Sequence, residues 1–283
     1  MRATSVNPID FYTGQHIGYE QSMRLPFIPG WDVAGVVDAI GYGASRHAVG
    51  DSVFGLAWFP HPAGTYAEYL TVPAYHVVAM PASASFVEAG CAPMAALTSE
   101  QMLDAARVTA GHRVLVSGAS GGVGHVAVQL AAARGCEVVT LARPHDHPTL
   151  LGLGADSCVD YDDAEQIAAA GTFDALLDLV GHDLGRSLFA RVARGGSAAL
   201  ATAWSMPDYP ALAQEHGIRA VSCFVEPDPV ALLRVAAEMD AGRLKVVIGA
   251  EFDLADAAEA QEWVLQRRGF GKAAITVRAA AHG

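Results

Sequence analysis

A glycine-rich turn set between an apolar strand and an amphipathic helix constrains this chain more than any other feature. Arg113-Val114-Leu115-Val116-Ser117 reads as a buried strand, Gly118-Ala119-Ser120-Gly121-Gly122-Val123-Gly124 as a tight turn, and His125 to Ala131 as a helix. Ala119, Gly121 and Gly124 hold the three positions of the G-x-G-x-x-G pattern, with Ala in place of the first Gly. The middle glycine lets a backbone approach a pyrophosphate, and the third lets helix and strand pack closely. N–H groups at a helix start, aided by the helix dipole, suit a diphosphate. A glycine turn of purely structural purpose is the alternative. The strand before the loop and the helix after it favour dinucleotide binding by residues 119–124.

The surroundings agree. Strands at 113–117, 137–142, 157–160, 175–179 and 197–201 alternate with helical patterns such as 123–134 and 184–193. That alternation predicts a parallel α/β sheet with right-handed crossovers, doubly wound in the Rossmann manner. Gly195-Gly196 reads as a turn before the next strand. Residues 229–239 read as an amphipathic helix with Val230, Leu233, Val235 and Ala237 inward, 255–266 as a helix and 273–277 as a final strand. Before about position 80 the chain is rich in Gly, Pro and aromatics, with β-like runs at 33–40 and 66–72. That part predicts a separate β-rich unit. A length of 283 residues likewise points to two domains.

A content of 52% hydrophobic and 17% charged residues excludes a disordered chain. The net charge of −12 repels a phosphate backbone and argues against a nucleic-acid partner. No apolar run approaches the ~18 residues of a membrane span, and no signal-peptide core opens the chain, so a cytoplasmic protein is expected. Cys91, Cys136, Cys158 and Cys223 form no C-x-x-C pair and read as buried hydrophobes rather than disulfides or metal ligands. Arg143 ends the second strand nineteen residues after Gly124, where an acidic residue would take the ribose of NAD. It offers a fork to the 2′-phosphate of NADPH, or is a solvated loop arginine. His145 and His147 flank Asp146 and read as solvent-facing rather than as a metal pair.

Taken together, the motifs resemble the zeta-crystallin-like quinone oxidoreductases, zinc-free members of the medium-chain dehydrogenase/reductase superfamily. The resemblance rests on Asn7-Pro8-Ile9-Asp10-Phe11-Tyr12, Pro29 to Val37, Gly50-Asp51-Ser52-Val53, Gly64 to Tyr69, the 119–124 loop, Leu153-Gly154-Ala155-Asp156, Gly195-Gly196 and Gly271-Lys272. It implies an inserted NADP-binding Rossmann domain over residues 86–244. A GroES-like catalytic domain would then be formed by residues 1–85 and 245–283. Two departures stand out. Trp31 fills the place where zinc-dependent relatives carry a ligating His, so no metal is expected, since Lewis-acid chemistry needs three protein ligands. The chain also begins almost directly on the Asn-Pro segment, so the resemblance implies an N-terminally short β-domain, by truncation or by a late start codon.

The resemblance further implies NADPH as cofactor and hydride transfer to a quinone or an α,β-unsaturated carbonyl, with Asn7, Tyr12 and Tyr19 near the substrate carbonyl. Each tyrosine is otherwise an ordinary half-buried aromatic, and Asn7 a turn residue before Pro8. Thr98 is expected beside the nicotinamide, or as a helix cap, and Lys272 near the cofactor, or as a surface lysine before an edge strand. The small-molecule substrate is left open, an enoyl thioester included. A nucleotide-binding sensor or cyclase-like protein without redox turnover is the alternative from another class. A homodimer is expected through the apolar edge strand 220–224.

Overall fold

The computed structural model describes residues 1–14 and 26–278. They divide into two compact units, Met1–Leu97 with Glu226–Gly283, and Thr98–Val225.

The first unit is built on a six-stranded sheet. Its strands are β1 (Ala3–Val6), β2 (Asp32–Val36), β3 (Ser52–Leu56), β4 (Val77–Ala79), β11 (Ile248–Asp253) and β12 (Lys272–Thr276), in the order β11-β12-β1-β2-β3-β4. β1 lies inside the sheet, with Ala3 opposite Thr276 of β12 on one side and Ala34 of β2 on the other. All four β1 residues are buried although Thr4 and Ser5 are polar. Their hydroxyls are spent on Asp32, Thr4 on its carbonyl at 2.8 Å and Ser5 on its carboxylate. Helix α1 (Pro8–Gly14) leaves β1 directly, with proline at the first helical position where its missing N–H is no loss. Helix α2 (Phe86–Cys91) opens with a capping box between Ser85 and Glu88 and packs on β1. Gly90 makes that approach possible, since a Cβ there would lie 3.0 Å from Ala3. The expected strand at 66–72 is irregular; Tyr66 instead turns inward.

The second unit holds a parallel sheet of β5 (Arg113–Ser117), β6 (Glu137–Ala142), β7 (Ser157–Asp160), β8 (Phe173–Asp178), β9 (Val192–Leu200) and β10 (Arg219–Ser222), in the order β10-β9-β8-β5-β6-β7. The chain winds outward from β5 to one edge, then returns to β8 and winds to the other. The switch point therefore falls between β5 and β8. The intervening helices are α4 (Gly124–Ala133), α5 (His147–Gly152), α6 (Ala164–Ala169), α7 (His182–Leu188) and α8 (Tyr209–His216). Leu115, Val139, Leu141, Phe173, Leu176, Phe189 and Leu200 are among the buried residues of its core. Gly195 and Gly196 lie inside β9 rather than before it; Gly195 takes φ +85 and the β8–β9 register shifts between Phe173 and Ala175.

The seams lie elsewhere than expected. One falls within α3 (Pro93–Ala105), and α9 (Pro229–Asp240) belongs to the β-rich unit. Hydrogen bonds explain the second: Ser83 N donates to Asp240 Oδ1 at 2.9 Å and Ser83 Oγ to the Met239 carbonyl at 3.2 Å. The buried face of α9 is Ala231, Leu232, Val235, Ala236 and Met239, while Val230 and Leu233 are exposed. Apolar residues occur on both sides of this helix, so periodicity alone could not choose the face. Helix α10 (Ala257–Leu265) packs on β11 and β12. Among the described residues, no helix is long and apolar enough to cross a membrane.

Candidate active site

The loop 118–124 sits at the carboxyl end of β5, at the switch point. Gly118 takes φ +65, and a Cβ there would lie 3.1 Å from Val180 Cγ2. A Cβ on Gly124 would lie 2.3 Å from the Gly118 carbonyl and 2.6 Å from Ala119 Cα, so helix and strand meet at a distance only glycine permits. Helix α4 begins without a side-chain cap. Beside it the Ser120 hydroxyl is buried without a hydrogen-bond partner among the described residues. An orphan donor in a glycine cradle at an uncapped helix start is the arrangement a bound diphosphate would complete, and these residues fit a dinucleotide. Ser99, next to the expected Thr98 on α3, donates to the Val123 carbonyl at 3.2 Å, and Thr98 itself is buried.

Neighbouring loops are held toward the same sheet end. Buried Asp178 closes β8 by accepting from Ser117 Oγ at 2.7 Å and from the N–H groups of Val180 and Gly181, both at 3.1 Å. Gly181, at φ +69, leaves no room for a Cβ against Ser205 and Thr202. Thr202 Oγ1 is another buried hydroxyl without a partner among the described residues. None of these stood out in the sequence, because the residues come from three separate strand ends.

Arg143 is exposed at the end of β6, and its Nε donates to the Tyr161 hydroxyl at 2.8 Å. Tyr161 thereby orients the guanidinium and leaves its other edge open. His147 bonds the Ala142 carbonyl at 3.1 Å, and His145 lies 3.4 Å from Asp146. No metal-holding group of three His, Cys, Asp or Glu occurs among the described residues.

In the β-rich unit a polar cluster lies where β1, β2, β12 and α1 meet. Asn7 is 3% exposed, and its backbone N–H and both ends of its side-chain amide are engaged. Its N–H donates to Asp10 Oδ2 at 2.8 Å, its Nδ2 to Asp32 Oδ2 at 2.8 Å, and its Oδ1 accepts from Lys272 Nζ at 2.6 Å. Lys272 also reaches the Val6 carbonyl at 3.3 Å and lies 3.8 Å from Asp32. The lysine expected near the cofactor is thus buried, with its donors spent inside this cluster. Gly271, at φ +79 and without room for a Cβ against the Val247 carbonyl, turns the chain that delivers it. Asp32 further accepts from the Met94 N–H at 2.7 Å. Tyr66 donates to Asp10 Oδ2 at 3.0 Å, and burial holds its phenol well above the ordinary range. Tyr12, half-buried, projects from α1 with its ring edge-on to Phe11. Tyr19 lies outside the described residues.

A GroES-like sheet and a parallel sheet bearing a glycine cradle define the dinucleotide-dependent oxidoreductases of medium chain length. An alcohol dehydrogenase GroES-like domain family matches residues 1–82, and a zinc-binding dehydrogenase family matches residues 153–275. The quinone oxidoreductase from Coxiella burnetii is 31% identical, with a TM-score of 0.93 over 98% of this chain and 89% of that one. Human quinone oxidoreductase is 29% identical over 283 residues, 95% of this chain and 85% of the relative. A mycobacterial protein solved in complex with NADPH is 27% identical, with a TM-score of 0.84 over 97% of this chain and 89% of that one. The chain belongs to the zinc-free type of quinone oxidoreductase within the medium-chain dehydrogenase/reductase superfamily.

Proposed function

We propose that this oxidoreductase takes NADPH and transfers its hydride to a quinone or an α,β-unsaturated carbonyl without a metal ion. The observation that carries the reading is the glycine cradle with its orphaned Ser120 hydroxyl at the switch point of the parallel sheet. The choice of phosphate is supported by Arg143, fixed on Tyr161 where an acidic residue would otherwise receive a bare ribose. When bound, the nicotinamide supplies the hydride.

The chain's own residues bind and orient. Ala119 to Gly124 hold the diphosphate through backbone N–H groups, Ser120 adds its hydroxyl, and Arg143 holds the 2′-phosphate. Thr98 borders the nicotinamide. Tyr12 offers a ring that stacks on a flat acceptor and a hydroxyl that donates to the carbonyl oxygen as charge builds there. Asn7 serves this chemistry from behind: its amide is committed to Lys272 and Asp32, so it fixes the start of α1 and with it Tyr12. Trp31 is 1% exposed and directs its indole N–H to the His61 carbonyl at 2.8 Å, which leaves no ligand at that position. The β10 edge strand, paired only with β9 among the described residues, supports a homodimer.

The test is NADPH consumption by the purified chain against a quinone, a small enone and an enoyl thioester. Turnover with the first or second supports the reading, and turnover confined to the thioester reassigns the substrate. Tight NADPH binding with no turnover on any of the three would mean a nucleotide-binding protein without redox activity.

A further inference from the structure

Two buried carboxyls, Asp10 and Asp32, face one buried cation, Lys272. Such a cluster cannot hold both carboxyls ionised without leaving a negative charge uncompensated. The hydrogen bonds say which one keeps the charge. Asp32 accepts from Ser5 Oγ, Asn7 Nδ2 and the Met94 N–H, and has Lys272 beside it. Among the described residues Asp10 receives only the Asn7 N–H and the Tyr66 hydroxyl, both on Oδ2, and its Oδ1 is buried with no partner. One turn along α1, the Thr13 hydroxyl is buried and has no partner among the described residues either.

We propose that Asp10 holds a proton on Oδ1 up to the neutral range of pH, and that this proton makes it the positioning residue that seats α1, and with it Tyr12, for turnover. The neutral acid keeps Oδ2 as acceptor for Asn7 and Tyr66 while adding no charge to the cluster. Loss of the proton places a second anion against Asp32 on the far side of Asn7, and α1 loosens. The groups facing Asp10 act in opposite senses. Burial dominates and raises its carboxyl to about 7; the bonds from Asn7 and Tyr66 and the Lys272 charge oppose this, and Asp32 adds to it. Helix α10 packs against α1, but its Glu259 and Glu262 are exposed and it presents Gln261 to Tyr66. The part played by Tyr12 rests on the proposed function; the protonation of Asp10 does not.

The experiment has two readouts on the full chain. Infrared difference spectra across a pH titration should show a protonated-carboxyl band lost near pH 7 in the wild type and absent from Asp10→Asn. Turnover of NADPH with the accepted substrate should fall about tenfold per pH unit above 7 in the wild type. It should stay flat in Asp10→Asn, which mimics the neutral acid. Tyr66→Phe, which removes a bond to the carboxylate, should move both transitions to higher pH. An infrared transition unaffected by Asp10→Asn, or none near 7, would overturn the protonation. A carboxyl transition at 7 with a turnover profile unchanged in Asp10→Asn would overturn the positioning role. Absence of turnover in every protein would leave the infrared result to decide the protonation, and would count against the proposed function instead.

Discussion

The Lys272 ammonium and the Asn7 amide meet end to end across 2.6 Å, with Asp32 on the amide's other end at 2.8 Å. Asn7 is thus a neutral spacer inside a buried ion pair whose charged atoms lie 3.8 Å apart. Removing the cation leaves Asp32 buried without a counter-charge. Lys272→Met should therefore destabilise the protein by about 3–5 kcal/mol in urea unfolding. NADPH affinity of the folded fraction should be unchanged. Loss of NADPH affinity at unchanged stability would return Lys272 to the cofactor.

The cradle predicts a different failure. A methyl group on Gly124 would stand 2.3 Å from the Gly118 carbonyl, and backbone cannot give way as a side chain can. Gly124→Ala should cost about 1–3 kcal/mol of stability and weaken dinucleotide binding with it. Thermal unfolding and fluorescence titration with NADPH measure the two effects.

Arg143 should decide between the two nicotinamide cofactors. A charge-assisted contact to phosphate contributes about 1.5–3 kcal/mol, so Arg143→Ala should weaken NADPH ten- to a hundredfold and leave NADH nearly unaffected. Tyr161→Phe removes the bond that orients the guanidinium and should give a smaller loss of the same kind. Equal affinities for both cofactors before and after substitution would remove Arg143 from the site.

Chelation tests the role assigned to Trp31. Activity after prolonged treatment with a strong chelator should equal that of the untreated protein, with no stoichiometric zinc by elemental analysis. Turnover abolished by chelation and restored by zinc would overturn the metal-free reading.

Asp10 makes stability itself depend on pH. Its carboxyl is raised from 3.8 to about 7 in the folded protein, so between these values the native state binds a proton that the unfolded chain releases. Stability from this group is complete below pH 4 and falls as pH rises toward 7, by about 4 kcal/mol at most. Urea unfolding at a series of pH values should show that decline in the wild type and a flatter profile in Asp10→Asn.

The 113–131 stretch determined its own structure without help from the rest of the chain. Strand, turn and helix follow from local propensity and from the steric demands that only glycine meets, and both are written in neighbouring residues. The parallel, doubly wound sheet was legible for the same reason, through the alternation of short apolar runs with helical patterns, while the order of its strands came only from the tertiary structure. The polar cluster was not. Ser5, Asn7, Asp10, Asp32, Tyr66 and Lys272 are scattered over the length of the chain; alone, Asn7 reads as a turn residue, Lys272 as a surface charge and Tyr66 as part of a β-like run, and nothing local joins them. Antiparallel pairing of β1 with β12 brings the first strand against the last, and burial then forces every polar atom there to find a partner. That pairing sets Asn7 between a cation and an anion, and leaves one Asp10 oxygen unanswered among the described residues. Charge state and hydrogen-bond partner belong to three-dimensional neighbours, so only the tertiary structure could decide them.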